Sequence, residues 1–246
     1  MHLSSIAMPH IKPSHFFLIA VVAMLVAGCG GRRAERASRP PMAARDSSAL
    51  LDGIDVSSHQ GLIDWDKVTA NKDIRIAYIK ATEGVTYTSP HYMANLTAAR
   101  RRGLLVGSYH YLTTTSPVTE QAAHFISVAP KHTQDLIPMI DVEDRGDWSR
   151  SQLIDSLTRM AGILEEHYGH KPMIYSALEF YNLNLSPRFN HYPLYIGCYT
   201  GSAPAISWEG HYTLWQFTEN GIIPGIDTYV DQCCFHPDRW LPDILL

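Results

Sequence analysis

An apolar run, Leu136-Ile137-Pro138-Met139-Ile140, ends abruptly in Asp141-Val142-Glu143-Asp144. A short apolar run followed by turn signals reads as a buried strand, expected here over 136–143. Side chains alternate along a strand, so Asp141 and Glu143 point to one side and Val142 to the other. Two carboxyls are then held side by side where a hydrophobic strand leaves the core. Like charges that close, with partial burial, raise one pKa and leave the other group ionised. An acid beside an anion is what cleavage of a glycosidic bond requires. An ordinary strand end opening into a solvated acidic loop would have the same local sequence, so the elements around it matter.

Polar or acidic residues recur at the ends of other expected strands. Asp55 closes a strand over 50–56, and Lys80 with Glu83 follows one over 74–81. Tyr109 and Tyr111 close one over 104–112, and Asp231 falls in one over 227–235. Further strands are expected over 171–176, 192–199 and 211–217. Helices are expected between the first five and after the fifth, over 63–68, 89–102, 117–128, 148–168 and 178–183. Leu153, Leu157, Met160, Ile163 and Leu164 recur at helical spacing in the fourth of these, which Gly169 stops. Strand alternating with helix implies a parallel sheet. Five such units and three further strands predict an α/β fold of the (β/α)5(β)3 kind, a closed but incomplete barrel. The C-terminal ends of parallel barrel strands converge on one mouth, which would gather these residues. A plain structural ion pair, Lys80 with Glu83 or with Asp55, accounts equally for those individual members.

Of 246 residues, 46% are hydrophobic and 18% charged, enough for a sizeable core. The net charge of -4 lacks the basic face of a nucleic-acid binder, and no nucleic-acid partner is expected. No Gly-rich phosphate loop follows the first strand, which argues against a nucleotide fold. The 13 Tyr and 5 Trp suit stacking on sugar faces, but equally a core or rim. The 13 His show no HExxH-like spacing. His110 reads as a structural hydrogen-bonder, and no metal or cofactor is expected.

Residues 16–28 are apolar without a break, too short for a comfortable membrane span and suited to a signal-peptide core. They end in Val26-Ala27-Gly28-Cys29, which resembles the bacterial lipobox. That resemblance implies a signal peptide over 1–28, a lipid on Cys29 and a membrane partner outside the cytoplasm. With Gly30 after the cysteine, the outer membrane or periplasmic face is favoured. The Arg-, Ser- and Pro-containing stretch 29–49 reads as a flexible tether, leaving 50–246 as the folded domain.

From Asp52 to about Phe235 the chain resembles the lysozymes of glycoside hydrolase family 25. The matching stretches are Gly53-Ile54-Asp55-Val56-Ser57, Ile63-Asp64-Trp65, Ile79-Lys80-Ala81-Thr82-Glu83-Gly84 and Gly107-Ser108-Tyr109-His110-Tyr111. They continue with Ile140-Asp141-Val142-Glu143, Lys171-Pro172-Met173-Ile174-Tyr175-Ser176, Leu214-Trp215-Gln216-Phe217, Gly225-Ile226-Asp227 and Val230-Asp231. The resemblance implies a modified TIM-like barrel that cleaves the β-1,4 bond between N-acetylmuramic acid and N-acetylglucosamine in peptidoglycan. It makes Glu143 the general acid/base and Asp141 the group that orients the substrate acetamido group. Asp55 and Asp231 complete the acidic pocket, with Lys80, Glu83, Tyr109, Tyr111, Tyr175 and Trp215 lining the sugar cleft. A monomer is expected. Two positions depart from the family pattern: Cys233 stands where Asn is common, and Tyr195 where Trp is usual. A non-catalytic wall-binding lipoprotein and a hydrolase of another acetamido glycan such as chitin are the alternative readings. Cys198, Cys233 and Cys234 remain after Cys29; a disulfide from Cys198 to either of the others, or three small buried residues, fits the sequence.

Overall fold

A computed structural model describes residues 51–246. The expected signal segment, Cys29 and the tether lie outside the described residues. Among the described residues there are nine strands: β1 Gly53–Val56, β2 Ile76–Glu83, β3 Tyr87–Thr88, β4 Leu105–Tyr111, β5 Met139–Asp141, β6 Met173–Ala177, β7 Leu194–Gly197, β8 Leu214–Gly221 and β9 Val230–Phe235. Helices α1 Trp65–Val68, α2 Tyr92–Arg101, α3 Val118–Val128, α4 Arg150–Tyr168 and α5 Leu178–Phe180 follow β1, β3, β4, β5 and β6; α5 continues as a π-helical turn, Tyr181–Leu185. The sheet runs β1-β9-β8-β7-β6-β5-β4-β2, and β1 also pairs with β2, so eight strands form a closed ring with β3 outside it. The (β/α)5(β)3 expectation is met.

Burial explains the strand compositions. Apart from β3 and the outer half of β8, the strands are covered on both faces and read as nearly continuous apolar runs. Ile76, Tyr78, Met139, Met173, Tyr195 and Leu214 fill the barrel interior, while Ile54, Ile79, Val106, Ile140, Ile174 and Ile196 pack under the helices. Gly107 allows Tyr78 to cross the interior: a Cβ there would lie 2.4 Å from the Tyr78 ring. The long helix α4 begins at a capping box, Ser149 with Gln152, and ends at Gly169 with φ 80°. Its inward stripe includes Leu153, Leu157, Met160 and Leu164.

Three expectations change. First, β5 is shorter than 136–143, and Glu143 stands just beyond its end. Extended backbone carries the pattern on, with Val142 N–H donating to Tyr175 O at 3.0 Å. Second, β9 is antiparallel to both its neighbours. Asp231 therefore sits at the start of its strand rather than at the C-terminal end, yet reaches the same mouth because the strand is reversed. Third, no disulfide links Cys198 to Cys233 or Cys234; all three are buried as thiols. Strand β8 lies between β7 and β9, and two strand spacings, roughly 9–10 Å, exceed the reach of a disulfide. Cys233 and Cys234 also face opposite sides of the sheet.

Candidate active site

The strand ends carry the site. Asp55 on β1 and Asp231 on β9 are register partners across an antiparallel pair. Asp141 ends β5 opposite Tyr111 of β4 and Tyr175 of β6. With Glu143 they border a cavity of about 220 Å³. Tyr109, Tyr175 and Met139 form its floor and wall, and Tyr199, Gln216 and Glu219 complete it. The four acids expected from sequence are thus brought together, as are Tyr109 and Tyr175.

A bulge sets the neighbouring rim. Registers of β2 against β4 shift between Lys80 and Thr82. In a regular strand, residues three apart face opposite sides; the extra residue, Ala81, lets Lys80 and Glu83 face the mouth together. Lys80 Nζ lies 2.7 Å from Glu83 Oε2 and 4.9 Å from the Tyr111 ring centroid. Lys80, Glu83 and Tyr111 form a cationic and aromatic shelf next to Asp141, outside the cavity lining itself, with the ion pair the sequence allowed.

Trp215 is not in the cleft. Its ring lies in the layer under the helices, edge-on to Phe217 with centroids 6.1 Å apart, and Nε1–H donates to Cys198 O at 2.7 Å. The inward residue of β8 is Gln216, one position on. Gln216 Oε1 accepts from Tyr175 Oη at 2.7 Å and Tyr199 Oη at 2.5 Å, and Nε2–H donates to Asp55 Oδ2 at 2.9 Å. Tyr195 Oη donates to the same Asp55 oxygen at 2.5 Å. Gln216 and Tyr199 were missed from sequence. The available signal was a lone amide in the apolar Leu214-Trp215-Gln216-Phe217 run.

Burial dominates the electrostatics. It raises the pKa of Asp141 well above the carboxylate range, with Glu143 adding to the effect. Among the described residues no donor reaches Asp141 Oδ1. Desolvation raises Glu143 too, opposed chiefly by Lys80 and reinforced by Asp55. The Asp141 and Glu143 carboxyls are within hydrogen-bonding reach of each other, so the pair retains a proton. Desolvation followed by Asp55 pushes Asp231 to about 9. Asp55 is raised by burial, against the hydrogen bonds from Tyr195 and Gln216. The cavity thus presents protonated and ionised carboxyls together, the combination needed for general acid chemistry beside an electrostatic stabiliser. Tyr109 and Tyr175 are held protonated by burial, and Tyr175 donates to Gln216. Among the described residues no group of three or more His, Cys, Asp or Glu is arranged to hold a metal ion.

His110, expected to be structural, lies behind this wall. Its Nδ1 is 2.7 Å from Thr82 Oγ1 and its Nε2 3.0 Å from Gln121 Oε1.

Comparison with known proteins places this geometry. The profile of Glycosyl hydrolases family 25 matches residues 54–226. An uncharacterized protein of Escherichia coli K12, YegX, is 34% identical over 192 residues, covering 75% of this chain and 69% of that protein. The autolytic lysozyme of Clostridium acetobutylicum is 33% identical over 181 residues, 74% of this chain and 54% of that protein. The structure of a family 25 glycosyl hydrolase from Bacillus anthracis superposes with a TM-score of 0.70 at 32% identity, covering 76% of this chain and 88% of that one.

Proposed function

This chain belongs to glycosyl hydrolases family 25, and on that footing we propose that it is a muramidase cleaving the β-1,4 bond between N-acetylmuramic acid and N-acetylglucosamine. It is a glycoside hydrolase of the lysozyme type, and its substrate is peptidoglycan. The finer assignment rests on one observation: Asp141 and Glu143 stand together at a cavity whose other carboxyls are Asp55, Asp231 and Glu219.

In this reading Glu143, the more solvent-open of the pair, protonates the departing glycosidic oxygen and then, as a base, activates water. General acid–base catalysis of this kind contributes typically ~10²–10⁴-fold. Asp141 Oδ1, which no donor among the described residues reaches, accepts from an amide N–H of the substrate acetamido group. Asp55 opposes the positive charge that develops on the sugar. An Asp141 that holds the acetamido N–H turns the acetamido oxygen toward the anomeric carbon, where it can take the place of a protein nucleophile. That supports retention of configuration with the acetamido oxygen as the internal nucleophile. Lys80, Glu83, Tyr109, Tyr111 and Tyr175 contact the sugars, and Trp215 supports them from behind the sheet.

The proposal extends to the envelope. The Val26-Ala27-Gly28-Cys29 sequence supports a lipid on Cys29 that holds a monomeric enzyme outside the cytoplasm, with the outer membrane favoured. Mass spectrometry of fragments released from peptidoglycan tests the cleavage. Products with N-acetylmuramic acid at the reducing end are expected from the wild type and none from Glu143→Gln. Reducing-end N-acetylglucosamine, or cleavage of chitin oligomers alone, would replace the bond assignment. Binding without products would leave a non-catalytic wall protein.

A further inference from the structure

Tyr195 has no role in the chemistry described so far, yet it touches the site at its most constrained point. Its side chain is fully buried among Tyr78, with ring centroids 6.4 Å apart, and Tyr175, at 5.3 Å and nearly perpendicular. From that socket its hydroxyl meets Asp55 Oδ2 at 2.5 Å, and the Gln216 amide reaches the same oxygen at 2.9 Å. Cys233 is buried beside it in the same interior cluster. The two positions at which the sequence departs from the family pattern, Tyr195 and Cys233, are therefore neighbours in one core.

We propose that Tyr195 is a positioning residue of the cleavage reaction: with Gln216 it locks one oxygen of Asp55 and so fixes that carboxylate against Asp231. The proposal rests on the hydrolase reading above and assigns a part to a residue outside the acid set. Two donors on one oxygen stabilise the ionised form of Asp55. Its charge then acts on the carboxyls that face it, Asp231 on β9 and Asp141 with Glu143 at β5, and in each it favours retention of the proton. Lys80, on β2, opposes this at Asp141 and Glu143. Glu219 on β8 acts in the same sense as Asp55 on Asp231 and Glu143, and Glu83 on Asp141; Tyr109, Tyr175, Tyr199 and Cys233 are protonated and add no charge. Removing the Tyr195 hydroxyl lets Asp55 take up a proton more readily. Glu143 then loses a negative neighbour and surrenders its own proton at lower pH.

Tyr195→Phe keeps the ring and removes only the hydroxyl. The expected result is roughly tenfold lower kcat with little change in KM, and an alkaline limb of the pH–rate profile displaced downward by roughly one pH unit. Tyr78→Phe is the control, because its hydroxyl donates to Ile137 O at 3.1 Å inside the same core; it should cost stability without moving the limb. In an Asp55→Asn background Tyr195→Phe should have no further effect on the profile. Carboxyl-carbon NMR titration of Asp55 reads the same contact without substrate, and Asp55 should ionise at lower pH in the wild type than in Tyr195→Phe. An unchanged profile with unchanged Asp55 titration would overturn the proposal, as would an additive effect in the double variant. Wild-type inactivity on glycans would instead count against the hydrolase reading, while the titration would still decide the role of Tyr195.

Discussion

Asp55 and Asp231 lie directly opposite one another where β1 and β9 close the barrel, and their carboxyls are within hydrogen-bonding reach. One proton between them is therefore favoured. Asp231 retains it, with a pKa pushed to about 9 by burial and the neighbouring Asp55 charge.

A stability cost follows from that pairing. The unfolded chain releases the Asp231 proton near pH 4, whereas the native chain holds it to about 9. Stability associated with Asp231 is thus full below the unfolded pKa and declines as pH rises through that window. Asp231→Asn, whose amide can still donate to Asp55, should raise the melting midpoint at pH 7.5 by several degrees while lowering activity. The gain should vanish near pH 4. A chain of this size moves ~2–4 °C per kcal/mol. Thermal scans at the two pH values check this; a midpoint lowered equally at both would refute it.

His110 produces the opposite slope. Burial between Thr82 and Gln121 lowers its pKa to about 4. The unfolded imidazole takes a proton near pH 6.5, so this contribution is complete above that value and is lost as pH falls toward 4. The loss amounts to about 3 kcal/mol at most. Urea denaturation of the wild type and of His110→Gln, which does not titrate, should show the difference between them shrinking from pH 7 to pH 4.5 as the wild type loses this contribution. A constant difference would show that His110 is charged or solvated in the folded protein.

Lys80 acts on function more than on stability. It is the cation that lowers the proton affinity of Asp141 and Glu143. Lys80→Met should displace the pH optimum upward, by up to roughly one pH unit. Its ion pair with Glu83 is partly solvent-exposed, so the stability change should stay within about 1 kcal/mol. pH–rate profiles of the two proteins decide the sign, and a downward displacement would contradict the electrostatic arrangement described.

The elements were legible in sequence where local periodicity carries the information. The α4 pattern, closed by Gly169, locates a helix because its apolar stripe repeats at 3.6 residues and its stop needs a left-handed residue. The acids at Asp55, Asp141 and Glu143 were legible because polar residues interrupt otherwise apolar strands. Trp215 was misplaced for a related reason: the inner half of β8 is buried on both faces, so apolarity no longer tells inside from outside. The same ambiguity hid Gln216, whose partners Asp55, Tyr175 and Tyr199 come from other parts of the chain.

By itself, the order of residues determined that strands would alternate with helices and that carboxyls would stand where strands end, since both follow from interactions among near neighbours in the chain. Tertiary structure alone decided the direction of β9, the bulge that turns Lys80 and Glu83 to one side, and the meeting of Tyr195 with Asp55 and Cys233. Those depend on how the ring closes, and closure is set by packing between segments far apart in sequence.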